Sequence, residues 1–491
     1  MVIFMRKQSF VLACSVALSL LGPGAARSEN LLEVYQAAVK NDPVIREADA
    51  RRLAALETKP QARALLLPQV NVGGQIYTAN SDSESTFPQV NQNTGDIVTV
   101  GNKSSTDVTQ YWDYSAELTQ TVFRWDQWQQ LKRADGQVAI AEATYRAAQQ
   151  NLLVRVSQAY FDVLAAEDTL AAAEATLQAF NRQLEQAEKR FEVGLIAITD
   201  VQEARAAHDS ATAGVIAAKR VLASTNEQLR ELTGETYQTL VKPADAMPLD
   251  QPQPLDEEMW VAKSLENNLS VVAARLDNEV AASNVKIAQA GHMPTVDLFA
   301  QYNESNRDAT QTNQSFDPSG NLGVGDKVAG SADSSNNNDV IGLRVNIPVF
   351  AGGGTQSRVR EQVYLQRAAR EKLEGTMRSA ERQTRDAYLG VLAEKARVQA
   401  LQQSVKSNQT ALEATEAGFE VGTRTTVDVL DARRRLFEAQ RDYARSRYDY
   451  LINIVKLKSA SGALAPADLG TINGFLTQPT TIPEPTAKPT G

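Results

Sequence analysis

Two periods govern the apolar positions of this chain. Leu152, Val156, Ala159, Val163, Ala166, Leu170, Ala173, Leu177, Phe180, Leu184, Ala187 and Phe191 are spaced four and three in unbroken alternation. Further on, Val391, Val398, Val405, Leu412 and Phe419 recur at every seventh residue. A sustained 3.5-residue period puts one apolar seam along a helix and winds that helix left-handedly about its partners. The alanines on the seam permit close approach. From Trp125 to Phe191 such a helix is predicted to run roughly 100 Å, at about 1.5 Å per residue.

The second period is two. In 69–78, Val70, Val72 and Ile76 share one face, with Gln69, Asn71 and Gln75 on the other. In 114–123, Tyr114, Ala116, Leu118 and Val122 oppose Ser115, Glu117, Thr119 and Thr121. In 295–303, Val296, Leu298, Ala300 and Tyr302 oppose Thr295, Asp297 and Gln301. In 340–350, Ile341, Leu343, Val345, Ile347 and Val349 oppose Gly342, Arg344 and Asn346. Each segment has about the ten residues of a tilted membrane strand. Tyr111 and Trp112 mark one end of the second strand, and Phe123, Trp125 and Trp128 the other, where a membrane barrel carries its aromatic girdles.

Half-buried strands of a soluble sandwich alternate too. The polar stretches 79–108 and 304–339, rich in Ser, Asn, Asp, Gly and Thr, read as long loops at one end of the strands only, which is the barrel pattern. Backbone groups in lipid must all be paired, so a spanning sheet has to close on itself. Four strands are too few, since single-chain barrels begin at about eight. Two chains would pool about eight strands and three about twelve, the latter wide enough for a pore.

The chain repeats itself. Phe191-Glu192-Val193-Gly194 returns as Phe419-Glu420-Val421-Gly422, Asp200-Val201 as Asp428-Val429, Ala204-Arg205 as Ala432-Arg433 and Gly234 as Gly462, always 228 residues on. Two homologous halves are expected, 29–240 and 256–463, joined by a proline-containing linker at 241–255. Each half begins with a helical run (31–66 and 256–291). Two strands follow, and then a long helix broken once, at 125–232 and 355–460. The closing segment 464–491 ends in a Pro- and Thr-dense tail expected to be disordered.

Arg6, Lys7, an apolar stretch from Ser9 to Leu21, and Ala26-Arg27-Ser28 form the pattern of a secretory signal peptide, 1–28. The one cysteine, Cys14, falls inside it, so the processed chain can form neither a disulfide nor a thiolate metal site. No segment has the ~20 apolar residues of a membrane helix. The formal charge of −9, with no basic cluster, argues against nucleic acid as a partner. Nor does the chain read as an enzyme. His208 and His292 are its only histidines, Gly352-Gly353-Gly354 lacks the Lys-Ser/Thr ending of a phosphate loop, and Glu117 and Asp297 lie on different strands. No cofactor or metal is expected.

These features together resemble the TolC family of outer-membrane efflux proteins over essentially the whole processed chain. Glu29-Asn30-Leu31, the repeated Phe-x-Val-Gly, 194–201 and Val421-Gly422-Thr423-Arg424-Thr425-Thr426-Val427-Asp428-Val429-Leu430-Asp431-Ala432 carry the likeness. It implies a mixed membrane β-barrel and α-helical coiled-coil barrel: a homotrimer whose chains each give four strands to a twelve-stranded barrel in outer-membrane lipid, above a periplasmic helical tunnel. A mixed equatorial collar would come from the linker region and the segment after Leu464. The implied role is an exit duct for tripartite efflux and type I secretion. Its partners would be a periplasmic adaptor (membrane fusion protein) and an inner-membrane pump or ABC secretion transporter. The rival, a structural trimeric coiled-coil surface protein without transport, should lack four matched strands of lipid-spanning length.

Asp428 and Asp431, three residues apart, share one helical face. The resemblance makes them the selectivity ring of a closed periplasmic entrance, six carboxylates in a trimer. It also makes Asp200, Gln183 and Arg424 the groups that latch neighbouring hairpins shut. Arg424 has Ile196 as its first-half counterpart, so the two hairpins are expected to play different parts. Where the family pattern has a tyrosine hydroxyl reaching the aspartate, this chain has Phe419, which has none to offer.

Overall fold

A computed structural model describes residues 29–90, 94–244, 247–316 and 327–476. The expected signal peptide and the tail beyond 476 lie outside the described residues. α1 (Leu31–Asn41), α2 (Pro43–Leu56) and α3 (Thr58–Ala64) precede β1 (Gln69–Val90), β2 (Ile97–Phe123), α4 (Trp125–Glu192) and α5 (Ile198–Thr233). Then come α6 (Glu257–Asn267), α7 (Leu269–Gln289), β3 (Thr295–Phe316), β4 (Val328–Ser331), β5 (Ser334–Asn346), α8 (Gly354–Glu420), α9 (Thr426–Ala460) and α10 (Pro466–Asn473).

The helical runs expected at 31–66 and 256–291 are each interrupted. Asp42 is held extended by the proline after it, so α1 stops there and α2 starts at Pro43. The Asn268 side chain accepts from the Ser270 and Val271 amides and opens a new helix in the second run. The long helices end on the expected glycines.

The described chain divides into two compact units. One holds Glu47–Ala148 and Ala262–Arg382 and contains the sheet. Its strands are antiparallel neighbours in the order β1-β2-β3, with β4 and β5 both pairing β3. The register aligns the apolar positions in rows. Val70, Leu118, Ala300 and Ile341 form one, and Val72, Ala116 and Tyr302 the next, while Asn71, Glu117 and Gln301 form a polar row on the opposite face. About ten residues at roughly 3.3 Å each, tilted by about 40°, give an apolar band close to the ~25 Å of an outer-membrane barrel. Among the described residues the band is left uncovered at its edges: Val72 is 79% exposed and Ile341 77%. Tyr77 stacks on Tyr111 at 4.5 Å and Trp112 on Tyr114 at 5.7 Å, at one end of the band.

The strands outrun the hydrophobic alternation. The polar stretches expected as loops are largely ladder: β1 and β2 stay paired out to Val90 and Ile97, and β3 runs to Phe316. Main-chain pairing does not require apolar side chains, so Ser-, Thr- and Asn-rich sequence continues the sheet past the apolar band. The fourth strand, conversely, stops at Asn346 rather than 350, just before Ile347 and Pro348, which has no N–H to donate. At the helical end of the sheet Arg124 grips buried Asp297 with two hydrogen bonds, at 3.0 and 2.8 Å.

The other unit comprises the chain up to Arg46, Gln149–Val261 and the chain from Gln383 on. The seam on α4 is its core: Leu152, Val156, Val163 and Ala166 are buried, as are Val391 and Val398 of α8. The linker region is strapped onto these helices by side chains that donate to its carbonyls. Tyr160 reaches Val241 at 2.7 Å, Arg447 reaches Pro243 at 3.0 Å, Tyr450 reaches Asp250 at 2.7 Å and Trp260 reaches Pro254 at 2.8 Å. Lys242 adds ion pairs to Asp168 at 2.7 Å and Glu167 at 3.4 Å. After α10, Leu476 bridges to Pro243.

Asp42, 1% exposed, pairs with Arg155 at 2.5 Å and accepts from the Ile45 amide at 3.3 Å. Removing one partner of a buried pair strands the other charge. Asp42→Ala is expected to lower stability by about 3 kcal/mol, and Asp42→Asn, which keeps the cap, by less. Denaturant unfolding of the full chain in detergent measures both.

Candidate functional site

The two breaks in the long helices make two hairpin ends. Gly194 and Gly422 take φ of 73° and 81°, a conformation that strains any residue with a Cβ. Each turn is closed by the same bonds: Leu195 N–H donates to the Arg190 carbonyl at 2.9 Å, and Thr423 N–H to that of Gly418 at 2.8 Å. Ala187, Val201 and Ala204 pack together below the first turn, with Leu184 and Ile196 against them. Leu412, Val429 and Leu436 do so below the second, with Val405, Phe419 and Ala432. An ion pair spans each hairpin: Arg205 to Glu188 at 3.1 Å and Arg433 to Glu416 at 2.6 Å. These pairs are related by the repeat offset of 228, which was the only sign of them in the sequence.

The residues singled out for gating all lie on these ends. Asp428 closes a capping box at the start of α9, accepting from both the amide and the hydroxyl of Thr425 at 2.9 Å. Those bonds, chiefly the amide, hold its carboxyl below the usual carboxylate range, with the nearby Arg424 charge adding to them. Asp431 pairs with Arg434 at 2.9 Å. Asp200 accepts from the Ala197 amide at 3.3 Å at the start of α5, the same place in the first repeat but without a hydroxyl beneath it. Gln183 is buried on α4. Arg424 is exposed, its stem folded across Gly418, where a Cβ would sit 2.8 Å from the arginine Cγ.

The Arg424 stem thus folds back over its own turn. Among the ion pairs of the described residues, none joins Arg424 to Asp200 within one chain. Phe419 has a partner the sequence did not suggest: the Arg190 guanidinium lies over its ring, 5.0 Å from the centroid. No group of three or more His, Cys, Asp or Glu among the described residues could hold a metal ion.

The profile of the outer membrane efflux protein family matches residues 34–235 and 260–463. The chain is 36% identical to outer membrane protein TolC of Escherichia coli (strain K12), over 97% of this chain and 91% of that one. It is 25% identical to alkaline protease secretion protein AprF of Pseudomonas aeruginosa, over 89% of this chain and 85% of AprF. The crystal structure of the outer membrane protein VceC from Vibrio cholerae superposes with a TM-score of 0.66 at 22% identity, covering 88% of this chain and 96% of that one. The chain belongs to the outer membrane efflux protein family.

Proposed function

We propose that three copies of this outer-membrane efflux protein close a barrel of about twelve strands over a helical tunnel, forming the exit duct of efflux and type I secretion machinery. The observation that carries this reading is the sheet. Along the apolar band the edge strands β1 and β5 are exposed on both faces, and among the described residues each has a partner on one side only. In lipid a bare edge costs several kcal/mol per unpaired group. Because β1, β2, β3 and β5 alternate in direction, β5 of one copy meets β1 of the next antiparallel, and the ring closes without a parallel seam. A structural coiled-coil protein would leave this band without a role.

The family match falls into two stretches, in keeping with a duplicated chain whose hairpins, six in a trimer, would make the tunnel wall. Asp428 and Asp431 would form an acidic ring at its periplasmic end, and Asp200, Gln183 and Arg424 would meet across neighbouring hairpins to hold it shut. A periplasmic adaptor and an inner-membrane pump or ABC transporter would deliver cargo there. Family membership and the outward placement of the acids on the hairpin ends support this assignment.

The lipid face is tested by paired substitutions. Val72→Arg, in the middle of the apolar band, should cost about 2–4 kcal/mol of membrane stability and deplete the trimer seen by native mass spectrometry. Asn71→Arg, one residue away on the polar face, should leave assembly intact. Equal loss from both would remove the assignment of faces.

The acidic ring is tested by conductance in planar bilayers. The protein should give small cation-selective steps, and Asp428→Ala/Asp431→Ala should lose the selectivity. Selectivity unchanged in that double variant would place the constriction elsewhere. Since Thr425 and Arg424 depress the Asp428 carboxyl, its charge is present at neutral pH and persists where an ordinary aspartate is already protonated. It is lost only as pH falls through that depressed value. In Asp431→Ala channels the remaining selectivity should therefore survive to lower pH with Thr425 intact than in Thr425→Ala.

A further inference from the structure

At its helical end the polar face of the sheet sets two arginines around one carboxylate. Thr121, Asp297 and Arg344 form a cross-strand row there. Asp297 is buried, and both of its oxygens are already engaged. Oδ1 accepts from Arg124 Nε at 3.0 Å and from the Thr121 hydroxyl at 3.5 Å, and Oδ2 accepts from the Arg124 guanidinium at 2.8 Å. Arg344 stands opposite Asp297 on the neighbouring strand and does not share it. No carboxylate among the described residues pairs with Arg344, which is exposed.

Its guanidinium is nonetheless held in place. Gly342 is the cross-strand partner of Phe299, and a Cβ there would meet the Phe299 ring at 3.2 Å. The glycine lets the ring lie across the strand. The Arg344 guanidinium covers that ring, 4.7 Å from its centroid. An aromatic face steadies a planar cation without using its N–H donors, and that donor fork fits a carboxylate or a phosphate. Other acids are occupied or distant. Asp126, in the first turn of α4, accepts from Gln130 at 3.3 Å. Glu117 lies in the row of Gln301 and Val340, about 13 Å further along the strands at roughly 3.3 Å per residue.

We propose that Arg344 is an oxyanion station: in the closed barrel three such guanidiniums ring the inner wall at its helical end and transiently hold the carboxylate or phosphate groups of passing cargo. This rests on the reading of the polar face as the lining of a three-chain barrel. Phe299 and Arg124 are positioning residues. Phe299 steadies the guanidinium, and Arg124, by occupying Asp297, leaves it available. The ring is opposite in sign to Asp428 and Asp431, so the sign of an effect on selectivity tells the two apart.

The test is current through the full-length protein in planar bilayers, with citrate or inorganic tripolyphosphate added on the side of the strand ends remote from the helices. Arg344→Gln should weaken the block about tenfold, and Arg344→Lys, which keeps the charge, should weaken it less. Phe299→Leu should weaken the block while leaving the ratio of chloride to potassium permeability unchanged. In Asp428→Ala/Asp431→Ala channels that ratio should fall about twofold with Arg344→Gln and further with Arg344→Glu. The difference should fade in about 1 M salt, where the screening length is about 3 Å. Dependence on Arg344 for either anion supports the station and names the group it takes. Block and permeability ratio indifferent to the charge at 344 overturn it, while the Asp428/Asp431 selectivity result leaves the duct standing. If the inserted protein never conducts, the duct reading falls, and 31P line broadening of tripolyphosphate by the detergent-solubilised protein decides the station by itself. Broadening lost in Arg344→Gln supports it, and equal broadening in both proteins overturns it.

Discussion

The pairing of main-chain groups is the constraint on which the rest of this molecule depends. A polar backbone group bare in hydrocarbon costs several kcal/mol. The sheet of one chain satisfies this demand internally through the long β1–β2–β3 ladders and leaves it open along two edges. The apolar rows impose the matching demand on the faces, because the described residues leave Val72 and Ile341 largely exposed. On the proposed reading a single chain is incomplete, and the two things it lacks, an edge partner and an apolar solvent, are those that an outer-membrane barrel supplies.

The helical unit solves a different problem. Helices satisfy their own backbone, so cohesion there comes from the buried seam of Leu152, Val156 and Val163 and from the strap formed by 240–244 and 247–255 across the helices. The strap has little regular structure, and Tyr160, Arg447, Tyr450 and Trp260 supply donors that its carbonyls would otherwise take from water. The same logic recurs at the helix starts, where Asn30, Asn268 and Thr425 satisfy first-turn amides.

Periodicity made much of this legible. The four-and-three spacing located α4 to within a residue of its end, because the seam is continuous and the break falls at Gly194. The alternation found all four apolar strand segments and their facing, which the register reproduces. It failed on length: Ser83 and Asn102 pair as well as Val72 and Ala116, and nothing in a side-chain pattern reports a ladder of polar residues. Strand ends are set by donors, as at Pro348. The residues proposed for the gate were singled out through the resemblance. Their partners within the chain were not, because contacts such as Arg190 on Phe419 join residues 229 apart in sequence through tertiary packing alone. The departure at Phe419 was visible as a lost hydroxyl, and what the ring gains instead needed coordinates.

The ion pairs Arg205–Glu188 and Arg433–Glu416 fasten each hairpin to itself. Each hairpin end therefore carries its own internal fastening, independent of anything it touches outside. A hairpin so fastened resists unravelling from its tip. On the proposed reading, force applied at such a tip would be carried along the coil and not lost to fraying. On the proposed reading, substitutions that retune how easily the ends separate could then accumulate without softening the hairpins, leaving ease of opening and sturdiness of the wall free to evolve apart.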